Sequence, residues 1–196
     1  MYVQIIKGTV VDSDLHRLQS ERWPAELKPG ASGYLGATWG VTRDGVAVTV
    51  VRFDSEADAV ANSERPEQGE WWSDMEPSMV DVSFQNCAEV DTMLGGPSSN
   101  AGFVQVISGT VKDKAAAQAM FDGVGDQLSA ARPDILGGLM AWHGNGGDFT
   151  QVMYFRSEAE AHAAETAEVD PEVGNQYADI MAIPPSFLDL AEPQFD

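Results

Sequence analysis

The sequence predicts an α+β protein of two ferredoxin-like (βαββαβ) repeats that close into an intramolecular pseudo-dimeric α+β barrel. Three observations predict it. Residues 2–12, YVQIIKGTVVD, and residues 103–113, FVQVISGTVKD, agree at seven of eleven positions at an offset of 101. Leu35-Gly36 returns at that offset as Leu136-Gly137, and Phe53-Asp54-Ser55-Glu56-Ala57 returns one residue later as Phe155-Arg156-Ser157-Glu158-Ala159. Both copies also show one order of strand and helix signals. Self-similarity at a fixed spacing marks a duplicated unit. The repeats are placed at 1–86 and 102–196, with 87–101 as linker.

In the first unit, residues 2–11 alternate and are rich in Val and Ile, which predicts a strand. Asp12-Ser13-Asp14 supplies an N-cap, and Leu15, Leu18, Trp23 and Leu27 form a helical stripe ending near Pro29-Gly30. Tyr34 to Val41 and Val46 to Phe53 read as strands around the Arg43-Asp44-Gly45 hairpin. Ser55 caps a second helix through Ala57, Ala59, Val60 and Ala61. A short turn holds Trp71 and Trp72, and Met79 to Phe84 is the fourth strand.

The second unit repeats this with a strand at 103–112, a helix at 114–131, strands at 135–143 and 148–155, a helix at 158–167 and a strand near 179–183. Gly144-Asn145-Gly146-Gly147 is its hairpin turn, without the Lys and following helix of a phosphate loop. Gly95-Gly96-Pro97-Ser98-Ser99 gives the linker loop chemistry. From Pro184-Pro185 onward the tail is expected to leave the sheet and wrap over the surface through Phe187, Leu188 and Leu190. A lone unit leaves one sheet face apolar, and the duplication supplies a covalent partner for it.

The 196 residues carry 31 acidic and 11 basic side chains, a formal charge of −20, with 43% hydrophobic residues. From 157 to 196 there are ten Asp or Glu and no Lys or Arg. Nucleic acid and anionic membrane surfaces are therefore excluded as partners, because both are bound through cationic side chains. The opening residues do not read as a signal peptide, and no apolar run reaches the ~18–20 residues of a membrane span. Cys87 is the only cysteine, so no disulfide framework or thiolate metal site is expected. A cytoplasmic chain is expected, a monomer containing its own pseudo-dimer and open to further self-association. Its expected partner is a small apolar or aromatic molecule, with no metal.

The stretch Gly33 to Gly45, GYLGATWGVTRDG, followed by Phe53-Asp54-Ser55-Glu56-Ala57, resembles the antibiotic biosynthesis monooxygenase family of the dimeric α+β barrel superfamily. The resemblance implies the barrel fold. In the quinone-forming branch it implies oxidation of an aromatic polyketide by molecular oxygen with no cofactor. That branch places an amide on strand three, a Trp opening helix two and a Tyr-His pair on strand two. Here the Trp position holds Phe53 and Phe155, and the amide position falls near Thr49 and at Gln151. The Tyr-His pair becomes Trp39-Gly40 and Met140-Ala141, with His143 two residues further on.

These carry-overs assign His143 as general base and Gln151 as the amide, in the second unit. Duplication frees one copy to lose function, and only the second keeps the polar set. Trp39, Thr49, Phe53, Trp71, Trp72, Trp142 and Phe155 are the candidates for contact with an aromatic substrate, although each Trp also suits core packing. Gln4 and Gln105 either line a pocket between sheet and helices or bond across the pseudo-twofold axis. Of the remaining histidines, His16 and His162 read as exposed helix residues, and His162 is the candidate axial ligand of a less favoured haem-degrading alternative. The other alternative is a non-catalytic small-molecule-binding or scaffold protein of the same fold.

Overall fold

The computed structural model describes residues 1–123, 125–166 and 179–196. Two compact units emerge, Met1–Ala88 with Gln194–Asp196, and Glu89–Pro193.

The first unit's strands are β1 (Tyr2–Val10), β2 (Tyr34–Val41), β3 (Val46–Phe53) and β4 (Met79–Cys87). Its helices are α1 (Ser13–Glu26), α2 (Glu56–Ser63) and α3 (Pro66–Met75). The second unit opens with β5 (Glu89–Met93) and continues with β6 (Phe103–Val111), α4 (Lys114–Gly123), α5 (Gly125–Ala131), β7 (Ile135–Trp142), β8 (Asp148–Phe155), α6 (Glu158–Thr166) and β9 (Met181–Leu190). The chain then supplies β10 (Gln194–Phe195) to the first sheet. The sheet orders are β10-β2-β3-β1-β4 and β5-β7-β8-β6-β9, antiparallel throughout. Each is a ferredoxin-like sheet with one added edge strand.

Those edge strands correct the sequence reading. Residues 89–93 of the predicted linker form β5, which lies antiparallel to β7 with Val90 opposite Ala141. The tail does not leave the sheet at Pro184-Pro185, because β9 runs through them to Leu190. Both prolines fall where the β6–β9 register shifts, between the Ser108–Ser186 and Thr110–Ile183 pairs, and β9 is an edge strand. Edges and bulges are where a strand tolerates a missing N–H. The first unit has the matching irregularity between Lys7–Ser83 and Thr9–Val80, with Asp81 at φ 53°. The repeat thus extends to a bulge.

Helix starts follow their caps. Asp12 Oδ1 accepts from the Leu15 amide at 3.0 Å, and Ser55 Oγ accepts from the Asp58 amide at 3.2 Å. Trp71 and Trp72 lie on α3, a helix begun by Pro66 rather than a turn. The 114–131 segment is divided into α4 and α5, with residue 124 outside the described residues, as is the predicted helix end at 167. On α1 the buried face holds His16 and Gln19, with Leu27 buried just past its end, while Leu18 stays exposed. The first helix is therefore turned from the Leu15–Leu18 stripe toward a polar one.

Within each sheet the residues facing the helices alternate with a second buried set, Val3, Ile5, Val48 and Val50 in the first unit. The second unit's helix side is one cluster around Phe103, Met140, Trp142, Phe149, Met153 and Phe155. The first unit's is split into Tyr2, Phe53 and Ala59 on one side and Ala47, Met75 and Met79 on the other.

Candidate functional site

A cavity of about 90 Å³ lies on the helix side of the first sheet, bordered by Phe53 of one cluster and Ala47, Met75 and Met79 of the other. A single water needs about 10–15 Å³ on this measure and one benzene about 150 Å³ of apolar cavity, so the enclosed space takes the edge of a ring, and the rest of a larger molecule would lie at its open mouth. Gln4 and Ile6 line it from β1, Ala37 and Trp39 from β2, and Thr49 and Val51 from β3. Helix α1 adds His16, Ser20, Trp23 and Pro24, α2 adds Asn62, and α3 adds Gln68, Trp71 and Trp72. Four indoles and Phe53 give flat apolar walls.

Two indoles are pinned by their N–H groups. Trp23 Nε1 donates to Gln68 Oε1, and Trp71 Nε1 donates to the Gln19 carbonyl, both at 2.9 Å. Trp71 and Trp72 stand 6.1 Å apart between ring centroids, and Trp72 packs edge-on against Phe84 at 5.2 Å. Asn62 Oδ1 accepts from Arg65 Nη1 at 3.0 Å. An indole N–H and a guanidinium can only donate, so both amides turn their oxygens outward to these donors. Their NH₂ groups have no partner among the described residues. His16 is buried, and its ring nitrogens likewise have no partner among them. Burial lowers its pKa from 6.5, which keeps the ring neutral near pH 7.

Of the sequence candidates, Trp39, Thr49, Phe53, Trp71 and Trp72 share this cavity. The others do not. His143 Nε2 lies 3.0 Å from Thr150 Oγ1, and its amide donates to Asp148 across the β7–β8 hairpin. Gln151 is buried, with its amide 3.7 Å from Met93 Sδ. Thr150 and Gln151 are neighbours on one strand and face opposite ways, so His143 and Gln151 do not meet in one pocket. Trp142 donates to Asp91 Oδ2 at 2.8 Å and packs on Phe149, while Phe155 packs on Phe103. Both are core.

The two units differ in the side chains at matching positions. Equivalent positions follow from the ladders: Ala47 opposes Gly8 as Phe149 opposes Gly109, and Val51 opposes Gln4 as Met153 opposes Gln105. Trp39 opposes Thr49 as Met140 opposes Gln151. In the second unit Phe149 and Met153 belong to the buried cluster, and Gln151 is buried on the same strand face. Gln4 bonds to Asn86 at 3.0 Å and Gln105 to Asp189 at 3.1 Å, each with the facing residue of the next strand in its own sheet.

Sequence reasoning missed His16, Asn62 and Gln68. A signal existed in the polar spacing of His16, Gln19 and Ser20 opposite the leucines of α1. His162 stacks on Phe103 at 5.6 Å between centroids and lies 3.6 Å from Glu158. Among the described residues no group of three His, Cys, Asp or Glu stands together as a metal site. No described helix is long and apolar enough to cross a membrane.

The fold is shared, end to end, with solved structures. A candidate monooxygenase from Lactobacillus acidophilus superimposes at TM-score 0.71, with 11% identity over 100% of this chain and 98% of that one. One from Fusobacterium nucleatum gives TM-score 0.79 and 10% identity over 100% and 93%. An anthrone oxidase-like protein gives 0.65 and 12% over 99% and 92%. No protein-family model and no curated protein sequence matches the chain. The architecture is thus two ferredoxin-like units in one chain, the fold of these full-length structures.

Proposed function

We propose that this chain is a small-molecule oxygenase whose single working site is the cavity of the first unit. Its substrate would be a flat, neutral aromatic ketone or phenol with an acidic ring CH₂, the class to which anthrones belong. The overall change is CH₂ + O₂ → C=O + H₂O, with carbon oxidised and oxygen reduced, as in the cofactor-independent branch the sequence resembles. The observation that carries this reading is a cavity walled by Trp23, Trp39, Trp71, Trp72 and Phe53, with no charged side chain on it among the described residues. Such walls bind a ring by burial and stacking, and they exclude water from an ionised intermediate. A formal charge of −20 also disfavours phosphates and polyanions as ligands.

Oxygen uptake with anthrone and the smaller enolisable ketone β-tetralone tests the proposal, alongside quenching of Trp fluorescence as a binding readout. Uptake by the wild type that falls in Trp72→Ala supports it. Binding without uptake of oxygen favours the non-catalytic binding protein instead. Absence of both removes the cavity as a site for this class.

A further inference from the structure

Oxygenation of a CH₂ group begins with loss of a proton, and the wall of the cavity holds one group able to take it. We propose that His16 is the catalytic base of the first unit, with the NH₂ groups of Asn62 and Gln68 as donors to the enolate oxygen that forms. This inference rests on the oxygenase reading above. A ring nitrogen of His16 takes the proton from the substrate carbon, and the C–H electron pair moves through the ring system onto the carbonyl oxygen. No oxidation occurs in this step, and the imidazolium and enolate together remain neutral.

The wall singles out His16. Among the described residues it is the only titratable side chain lining the cavity, and nothing that β1–β4, α2 or α3 contributes to the lining is charged. On the elements packed against α1, Glu67 is tied to Arg65 and Asp74 to Arg22, while Glu70 and Glu76 are exposed. None of these lines the cavity, so no carboxylate competes for the proton there. His16 is 8% exposed and its ring nitrogens are uncommitted among the described residues. Among the described residues the one fully buried side-chain polar atom without a partner is Arg52 Nε, so the His16 ring nitrogens are not sealed within protein, and His16 lines the cavity. Asn62 and Gln68 point their donors away from Arg65 and Trp23, which hold their oxygens. Donors fixed before the reaction stabilise a forming oxyanion without reorganising.

His16 also fits the task in its protonation state. Desolvation is the one cause lowering its pKa, so the ring is neutral and able to accept a proton at neutral pH. A histidine serving only as a hydrogen-bond donor would show no rise in rate as it loses its proton.

The test separates proton abstraction from oxygenation. Anthrone and β-tetralone are incubated with the whole chain in D₂O without oxygen, and deuterium uptake at the acidic carbon is followed by NMR. Wild type is expected to accelerate exchange over buffer, with a rate that rises with pH through a pKa below 6.5 and then levels. His16→Ala and His16→Gln are expected to lose about 100-fold of that acceleration, to bind either ketone as judged by Trp quenching, and His16→Ala to recover on adding imidazole. Exchange undiminished in both variants, or wild type no faster than buffer, overturns the assignment. Wild-type exchange without later oxygen uptake supports His16 and overturns the oxygenase. Oxygen uptake undiminished in His16→Gln overturns His16 and leaves the oxygenase standing.

Discussion

Ala47 and Phe149 occupy one place in two copies of the same unit, and where the methyl lines the first unit's cavity the ring packs on Trp142 in the second. Each faces the glycine of its first strand, Gly8 or Gly109, and each pairs with the last residues of strand two, Val41 or Trp142. The Phe149 ring lies 6.0 Å from Trp142 by centroids, and its edge reaches to 3.0 Å from where a Cβ on Gly109 would stand. At Gly8 the nearest atoms to such a Cβ are those of Val82, Val80 and Met79, at 3.2–3.4 Å, and Ala47 lines the cavity instead.

Exchanging these residues should exchange the properties of the units. Ala47→Phe is expected to abolish quenching of Trp fluorescence by anthrone while costing no more than about 1–3 kcal/mol, because the new ring enters existing space. Phe149→Ala removes a fully buried ring and is expected to cost ~3–5 kcal/mol. Urea melts and ligand titrations on both variants check the pair. Binding that survives Ala47→Phe would move the site elsewhere.

The duplicated βαββαβ plan was legible because it rests on strong local signals: Val-Ile alternation at 2–10 and 103–111, and the caps Asp12 and Ser55. The edge strands were not, since Glu89–Met93 is a strand only because β7 offers it unpaired backbone. Pro184-Pro185 misled for the same reason, as a bulge on an edge hides the cost that proline carries in a central strand. The cavity's aromatic wall was half legible. Trp39, Thr49 and Phe53 follow from strand register, but His16 requires knowing which side of α1 faces the sheet. An apolar stripe through Leu15 and Leu18 points the helix the wrong way. Whether a pocket is filled depends on side-chain volume across three strands, which no single motif records.

Trp23 and Gln68 are joined by a hydrogen bond within the cavity wall. Trp23→Phe keeps most of the ring area but removes the N–H that holds Gln68 Oε1 at 2.9 Å. Gln68 is then free to turn its oxygen inward. Stability is expected to fall by about 1 kcal/mol, and affinity for anthrone to weaken more than the lost ring area accounts for. Trp23→Phe with unchanged affinity would show that the orientation of Gln68 plays no part in binding.

Two glycines make opposite predictions. A Cβ on Gly137 would overlap the carbonyl oxygen of Gly96, which is backbone and unable to move alone, so Gly137→Ala is expected to destabilise by roughly 1–3 kcal/mol or more. Gly69 lies within α3 and has nothing within 4 Å of a Cβ. Gly69→Ala is expected to stabilise by about 0.5–1 kcal/mol through the helix propensity of alanine. Thermal melts of the two variants check both signs.

His16 also links the cavity to acid stability, with a sign that follows from its surroundings. Charging the ring within an uncharged wall loses hydration and gains no counter-charge, so the folded protein holds its pKa below the ordinary 6.5. Between these two values the unfolded chain binds a proton that the folded chain refuses, and stability falls as pH drops from above 6.5 toward the lowered value. His16→Gln removes this group and leaves every other titrating side chain in place, including His143, His162 and the carboxylates. Wild type and variant are therefore expected to differ by a constant amount above 6.5, and wild type to lose ground on the variant below it. Urea midpoints from about pH 8 to about pH 5 give the comparison. A bound neutral ketone should steepen the wild-type loss, since it seals the ring further from water. A difference that stays flat across that range would mean that water reaches His16 freely, and with it the cavity.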